Sequence, residues 1–183
     1  MICSLYLARQ ISTYNLKFIL LKRNIFDCIV SLDEFCLKGA DGHANVGVQY
    51  VRRGLPDNWA ALDDETRIHQ LLDRFLPIYV HYHVSWKFLE KANWVQPYWI
   101  SYEDELLKDK AAMAKRLGEW LGRSSSEIAS MTTAFEHKGN LEGRNFNKGV
   151  AGRGRKIQGA NRGRVLAAFN DFKDLADWGE VLD

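Results

Sequence analysis

Lys17-Phe18-Ile19-Leu20-Leu21-Lys22-Arg23-Asn24-Ile25-Phe26-Asp27-Cys28-Ile29-Val30-Ser31-Leu32 is the stretch whose reading decides the fold. Its opening part is a short apolar run between two lysines, the pattern of a strand buried on both faces in a parallel sheet. Asn24 can then cap a helix whose apolar positions Ile25, Cys28, Ile29, Leu32 and Phe35 recur at intervals of three and four. Strand, tight turn and helix in that order form the building unit of an α/β protein with a parallel sheet.

Downstream the same grammar continues. Residues 39–60 carry Gly39, Gly42, Gly47, Gly54 and Pro56, so they read as loop, with at most a short extended piece at Val46–Val51. Asp63 or Asp64 begins a long helix with Ile68, Leu71, Leu72, Phe75 and Leu76 on one face, and Pro77 is expected to kink or restart it. Val95–Ile100 is a second strand candidate, followed from Ser101-Tyr102-Glu103-Asp104 by a helix that Gly122 stops. Ser124–Ser126 cap a further helix that ends at Gly139, and Arg164–Phe172 close the pattern with another. Two clear strands are few for an α/β domain of 183 residues, where about five are usual, and the fold begins abruptly.

The composition narrows the function classes. With 46% hydrophobic and 26% charged residues, the chain is globular rather than disordered, and its length suits one domain over 1–183. The net charge of +2 advertises neither nucleic acid nor a membrane surface. Cys3, Cys28 and Cys36 have no paired spacing, which argues for a reducing compartment and against zinc. Met1–Leu21 is interrupted by Ser4, Arg9, Gln10, Ser12 and Lys17, so neither a signal peptide nor a membrane span is expected, and the chain reads as cytoplasmic. Charge is instead local: residues 138–164 hold eight Lys or Arg against the single acid Glu142, together with seven of the 14 glycines, and read as a flexible basic loop.

Several residue sets could carry chemistry. Arg23 stands at the carboxyl end of the first strand, just before a helix N-terminus, where open α/β sheets bind ligands and anions are favoured. Ser31, further along that helix, could add a hydroxyl; equally, Arg23 could pair with an acid and Ser31 face solvent. Asn147, Lys148 and Gly149, with Gly152, Arg153 and Arg155 after them, could clamp a phosphate with amides and cations, or form a solvated arm. Tyr102, after the second strand, could stack on an adenine or pack on the sheet edge. Glu103 and Asp104 fit first-turn acids better than a catalytic pair. Of the five histidines, His81 and His83 lie two apart on a helix and complete no metal set, while His43 is the most exposed candidate base. Neither GxxxxGK[ST] nor GxGxxG occurs.

Taken in order, these pieces resemble the cofactor half of the sulfotransferases that use 3′-phosphoadenosine 5′-phosphosulfate. Arg23 to Ser31 look like that family's RNPxDxxVS segment, with Ile25 in place of proline. Trp86 resembles the tryptophan ahead of the next strand, Tyr102-Glu103-Asp104 its YED segment, and Lys115–Gly122 the following helix with its LG ending. Phe146–Gly152 is similar to the late FxRKGxxGDW loop, with Asn147 where arginine stands in the family and Arg153-Gly154-Arg155 replacing the GDW ending. The resemblance covers roughly residues 17–175 and implies a P-loop-hydrolase-like three-layer parallel sheet flanked by helices. It implies further that Arg23, Ser31, Asn147, Lys148 and Gly149 hold the 3′-phosphate, that Tyr102 lies near the adenine, and that the acceptor is a small molecule or carbohydrate.

The front of the family's domain, with its first strand, its PKSGTTW-like phosphosulfate loop and its usual histidine base, has no counterpart in Met1–Asn15. The expectation is therefore an N-terminally incomplete sulfotransferase domain, inactive alone, with no catalytic residue assignable. The alternative is a non-catalytic module that binds RNA or another polyanion through residues 138–164; nucleic acid is the less favoured partner, because Phe146 is the sole aromatic near those cations.

Overall fold

The computed structural model describes residues 2–38, 51, 53–136 and 150–183. In chain order the elements are α1 (Leu5–Thr13), β1 (Ile19–Lys22), α2 (Ile25–Lys38), α3 (Asp64–Lys91), β2 (Tyr98–Ser101), α4 (Lys110–Leu121), α5 (Ser125–Glu136), α6 (Gly159–Asn170) and α7 (Gly179–Leu182). Tight 3-10 turns lie at Trp59–Ala61 and Arg153–Lys156, and a π-helical turn at Tyr102–Leu107. The protein is mixed α/β, mostly helical, with a two-stranded parallel sheet among the described residues. Two compact units are present, one from Cys3–Arg23 with Ser85–Val150, the other from Asn24–Val84 with Ala151–Asp183.

In the first unit, β1 pairs in parallel with β2, Ile19 opposite Tyr98 and Lys22 opposite Ser101. The expectation of a strand buried on both faces is corrected. Leu20 is buried, whereas Ile19 and Leu21, which alternate with it, remain 47% and 45% exposed. Ile100, opposite Leu21 on β2, packs with Met113 and Leu117 of α4. The helix foreseen from Ser101 to Gly122 is two pieces, since Asp109 leaves the π-helical turn and caps α4 by accepting from the Ala112 amide at 2.9 Å. Gly122 ends α4 at φ 71°, the left-handed value that a glycine adopts without strain. Ser124 and Glu127 form a reciprocal capping box at the start of α5. Helix α1, which no periodicity announced, is capped by Ser4 and buries Ala8 and Ile11.

The second unit holds the larger core, with Ile25, Phe26, Ile29 and Val30 of α2, Ile68, Leu71, Leu72 and Leu76 of α3, and Val165 and Phe169 of α6. Asn24 caps α2 as expected, its Oδ1 accepting from the Asp27 amide at 3.0 Å. Asp63 likewise caps α3, accepting from the Thr66 amide at 2.8 Å. Helix α3 runs through Pro77 without a break in its helical assignment, for burial of its apolar face outweighs one lost backbone hydrogen bond. The flexible basic loop is also corrected in its described half. From Arg153 the chain is helical turn and then α6, which begins at Gly159 rather than Arg164, because Ile157, Asn161 and Val165 are buried and anchor it. Most of the possible Val46–Val51 extension, and the helix end expected at Gly139, lie outside the described residues.

Candidate functional site

Arg23 leaves the carboxyl end of β1, and Tyr102 follows the carboxyl end of β2, so parallel pairing brings the two side by side. The Arg23 guanidinium lies 4.3 Å above the centre of the Tyr102 ring. Stacking of this kind fixes a planar fork without consuming its N–H donors. Glu103 is the nearby acid, its Oε1 3.8 Å from Arg23 Nε, an ion pair too long to be a hydrogen bond. Arg23 Nε is buried and makes no hydrogen bond to any described residue, while the side chain as a whole is 20% exposed. The acid partner and the available donor thus coexist.

The neighbouring acids are structural. Ser101 caps the π-helical turn, accepting from the Asp104 amide at 3.1 Å, and Glu105 accepts from the Ser101 amide at 2.6 Å. Asp104 binds Lys108 at 2.7 Å, and that hydrogen bond holds its carboxyl below the usual range. Glu103 and Asp104 therefore behave as first-turn acids, as their position implied.

In the second unit the informative helix is α2. Asp27, Ser31 and Glu34 follow one another at four and three residues and so share one stripe of the helix. Asp27 is 1% exposed and accepts from the amides of Gly152 at 2.7 Å and Gly154 at 2.5 Å. Glu34 binds Arg153 at 2.6 Å. Gly154 is needed here: a Cβ would meet the Phe26 side chain and stand 2.7 Å from the Phe26 carbonyl carbon and 2.8 Å from the Asp27 nitrogen. Ser31, half-buried, lies between the two acids that grip this turn. Lys156 reaches Asp64 at 3.3 Å, and this contact is the main cause of a lowered Asp64 carboxyl pKa. Arg164 binds Asp73 at 2.5 Å, and Arg162 covers the Phe26 ring at 4.4 Å.

Behind this face, Arg67 and Asp33 form a buried pair with Nε to Oδ1 at 2.9 Å, and Arg67 also binds Asp64 at 2.5 Å and the Leu62 carbonyl. Burial works against the Arg67 charge, but the two carboxylates outweigh it and raise its pKa. Sequence reasoning missed Asp27, Asp33 and Glu34 as partners. The available signal was acids at core spacing on an apolar helix.

Asn147, Lys148 and Gly149 lie outside the described residues, as do His43 and His137. Among the described residues no His, Cys, Asp or Glu cluster could hold a metal ion, and no helix is long and apolar enough to cross a membrane. His83 is buried between the Tyr82 and Phe169 rings, at 4.9 and 6.3 Å. The Cys3 thiol is pushed up by burial, which disfavours the nucleophilic thiolate. Of the cations in 150–164, Arg153, Lys156 and Arg164 are each matched by an acid, which lessens the charge on offer to a polyanion. No family model matches the chain, and no curated protein or solved structure is similar to it.

Proposed function

We propose that the chain is a sulfotransferase-type domain that binds the 3′-phosphate and adenine of 3′-phosphoadenosine 5′-phosphosulfate, and of its product adenosine 3′,5′-bisphosphate. One observation carries this reading: an arginine at the carboxyl end of a parallel strand, stacked on a tyrosine that follows the adjoining strand, with a buried N–H that no described group accepts. A buried guanidinium donor is costly to leave unmatched, and a phosphate oxygen is its best complement. In this assignment, which follows the family resemblance residue by residue, Arg23, Ser31, Asn147, Lys148 and Gly149 are the 3′-phosphate ligands and Tyr102 borders the adenine.

The three-layer, P-loop-hydrolase-like arrangement belongs to the same proposal, as does a reducing, cytoplasmic setting. The phosphosulfate supplies an activated sulfuryl group for a small-molecule or carbohydrate acceptor. The residues at hand orient the nucleotide and stabilise charge on its phosphate. No residue is assigned as the base for the acceptor, and the isolated chain is expected to turn over slowly or not at all.

Calorimetric titration with adenosine 3′,5′-bisphosphate tests the assignment. Micromolar binding that Arg23→Ala and Lys148→Ala each weaken by about 1.5–3 kcal/mol is expected, as for loss of a charge-assisted hydrogen bond. A folded chain with no affinity for the bisphosphate contradicts the proposal.

A further inference from the structure

The turn that follows β2, Tyr102-Glu103-Asp104-Glu105, carries three acids, and it belongs to the same unit as Arg23. Asp104 is committed to Lys108 at 2.7 Å, and Glu105 to Arg116 and to the Ser101 amide at 2.6 Å. Glu103 is the acid that the turn brings to the guanidinium, with Oε1 3.8 Å from Arg23 Nε and 18% of its side chain exposed. Ser101, which caps the turn through the Asp104 amide at 3.1 Å, fixes the backbone from which Glu103 projects.

At 3.8 Å the carboxylate does not accept from Nε, and Nε has no acceptor among the described residues. The guanidinium is held instead by its stack on the Tyr102 ring at 4.3 Å. A phosphate that takes the unspent donor therefore arrives beside a half-buried negative charge. Anions this close, and partly removed from water, repel one another unless a donor stands beside them. Arg23 serves the phosphate, and the carboxylate calls for a donor that the ligand itself brings.

Covalent structure identifies that donor. In a nucleoside 3′-phosphate the 2′-hydroxyl sits on the carbon next to the one that bears the phosphate, so it enters the same corner of the site, whereas the adenine amino group and the 5′-substituent lie across the ribose. A carboxylate is an acceptor-only group with room for several hydrogen bonds, and acids accept from ribose hydroxyls in nucleotide sites for this reason.

We infer that Glu103 is a specificity-determining residue: it accepts from the ribose 2′-hydroxyl and makes the site select a ribonucleoside 3′-phosphate over its 2′-deoxy counterpart. The inference rests on the proposed nucleotide site and goes beyond it, for it names the sugar that the site takes and gives Glu103 a role beyond its place in the first turn.

The test is calorimetric titration of the full chain with adenosine 3′,5′-bisphosphate and with 2′-deoxyadenosine 3′,5′-bisphosphate, on the wild type, Glu103→Ala and Glu103→Gln. The wild-type chain should bind the ribonucleotide about tenfold more tightly than the deoxynucleotide, as for a hydrogen bond to a charged group. In Glu103→Ala the two affinities should fall within about twofold of each other. The deoxynucleotide should also bind that variant more tightly than it binds the wild type, because the repulsion is gone and no hydrogen bond is lost. Glu103→Gln, which keeps a carbonyl oxygen without the charge, should hold an intermediate preference. The ratio of two ligands on one variant does not depend on the fraction folded, so a loss of stability does not imitate the result. A wild-type ratio near one, or a preference in Glu103→Ala as large as in the wild type, overturns the role of Glu103, and the 3′-phosphate site stands if Arg23→Ala still weakens the bisphosphate. If the wild-type chain takes up neither nucleotide, the site and the inference fall together.

Discussion

In the unit built from Asn24–Val84 and Ala151–Asp183, charge is turned inward: Asp27 and Asp33 are 1% and 0% exposed, and each is met by two donors. In the unit built from Cys3–Arg23 and Ser85–Val150, charge collects at the carboxyl end of the sheet, where Arg23 and Glu103 are 20% and 18% exposed and stand 3.8 Å apart. The Asp27 and Asp33 carboxylates, each already met by buried donors, have little left to give a ligand, although the Arg153 Nη2 of the same unit is buried without an acceptor among the described residues. A half-buried guanidinium with a donor unspent has the opposite property. The comparison teaches that count of cations is a poor guide to anion binding, and that the question is which donors the protein has already used.

The sharpest way to break the comparison is to remove an inward charge. Asp33→Ala leaves Arg67 buried without its bidentate partner, and a loss of about 3–5 kcal/mol in denaturant unfolding is expected. Next in size, Met113→Ala empties the centre of the smaller core, where Met113 is fully buried against Ile100 and Leu117, at a cost of about 2–4 kcal/mol by the same measurement. If Asp33→Ala proves milder than Met113→Ala, inward charge is not what holds the second unit together.

The smallest effect belongs to an outward pair. Lys108→Ala removes an exposed partner of Asp104 and should change stability by less than about 1 kcal/mol. Its signature is in pH. Because Lys108 lowers the folded-state pKa of Asp104, the stabilisation is present above the ordinary carboxylate range and lost as pH falls through the lowered value. In Lys108→Ala the Asp104 titration, followed by NMR, should move up toward the ordinary range.

The local grammar of the chain was legible because it rests on short-range chemistry. Asn24, Asp63, Ser124 and Gly122 each do at a helix end what their side chains or lack of one require. The β1–turn–α2 unit and the position of Arg23 followed from the same signals. Burial was less legible: Leu21 looks like core in an apolar run, yet whether it is covered depends on which elements pack over the sheet. The inward acids were hidden for a related reason, since Asp27 and Asp33 look polar until Gly152, Gly154 and Arg67 arrive from far along the chain. The break at Asp109 and the length of α3 through Pro77 likewise reflect tertiary packing that overrides propensity.

The central claim is that the unspent donor of Arg23 is matched to a 3′-phosphate. It is tested most directly by comparing calorimetric affinities of adenosine 3′,5′-bisphosphate and adenosine 5′-phosphate for the wild-type chain and for Arg23→Ala. The account predicts that removing the 3′-phosphate or the guanidinium costs the wild-type complex about the same, roughly 1.5–3 kcal/mol, and that removing both costs little more than either. Equal affinity of the wild-type chain for the two nucleotides, or an Arg23→Ala loss that is the same for both, would contradict it.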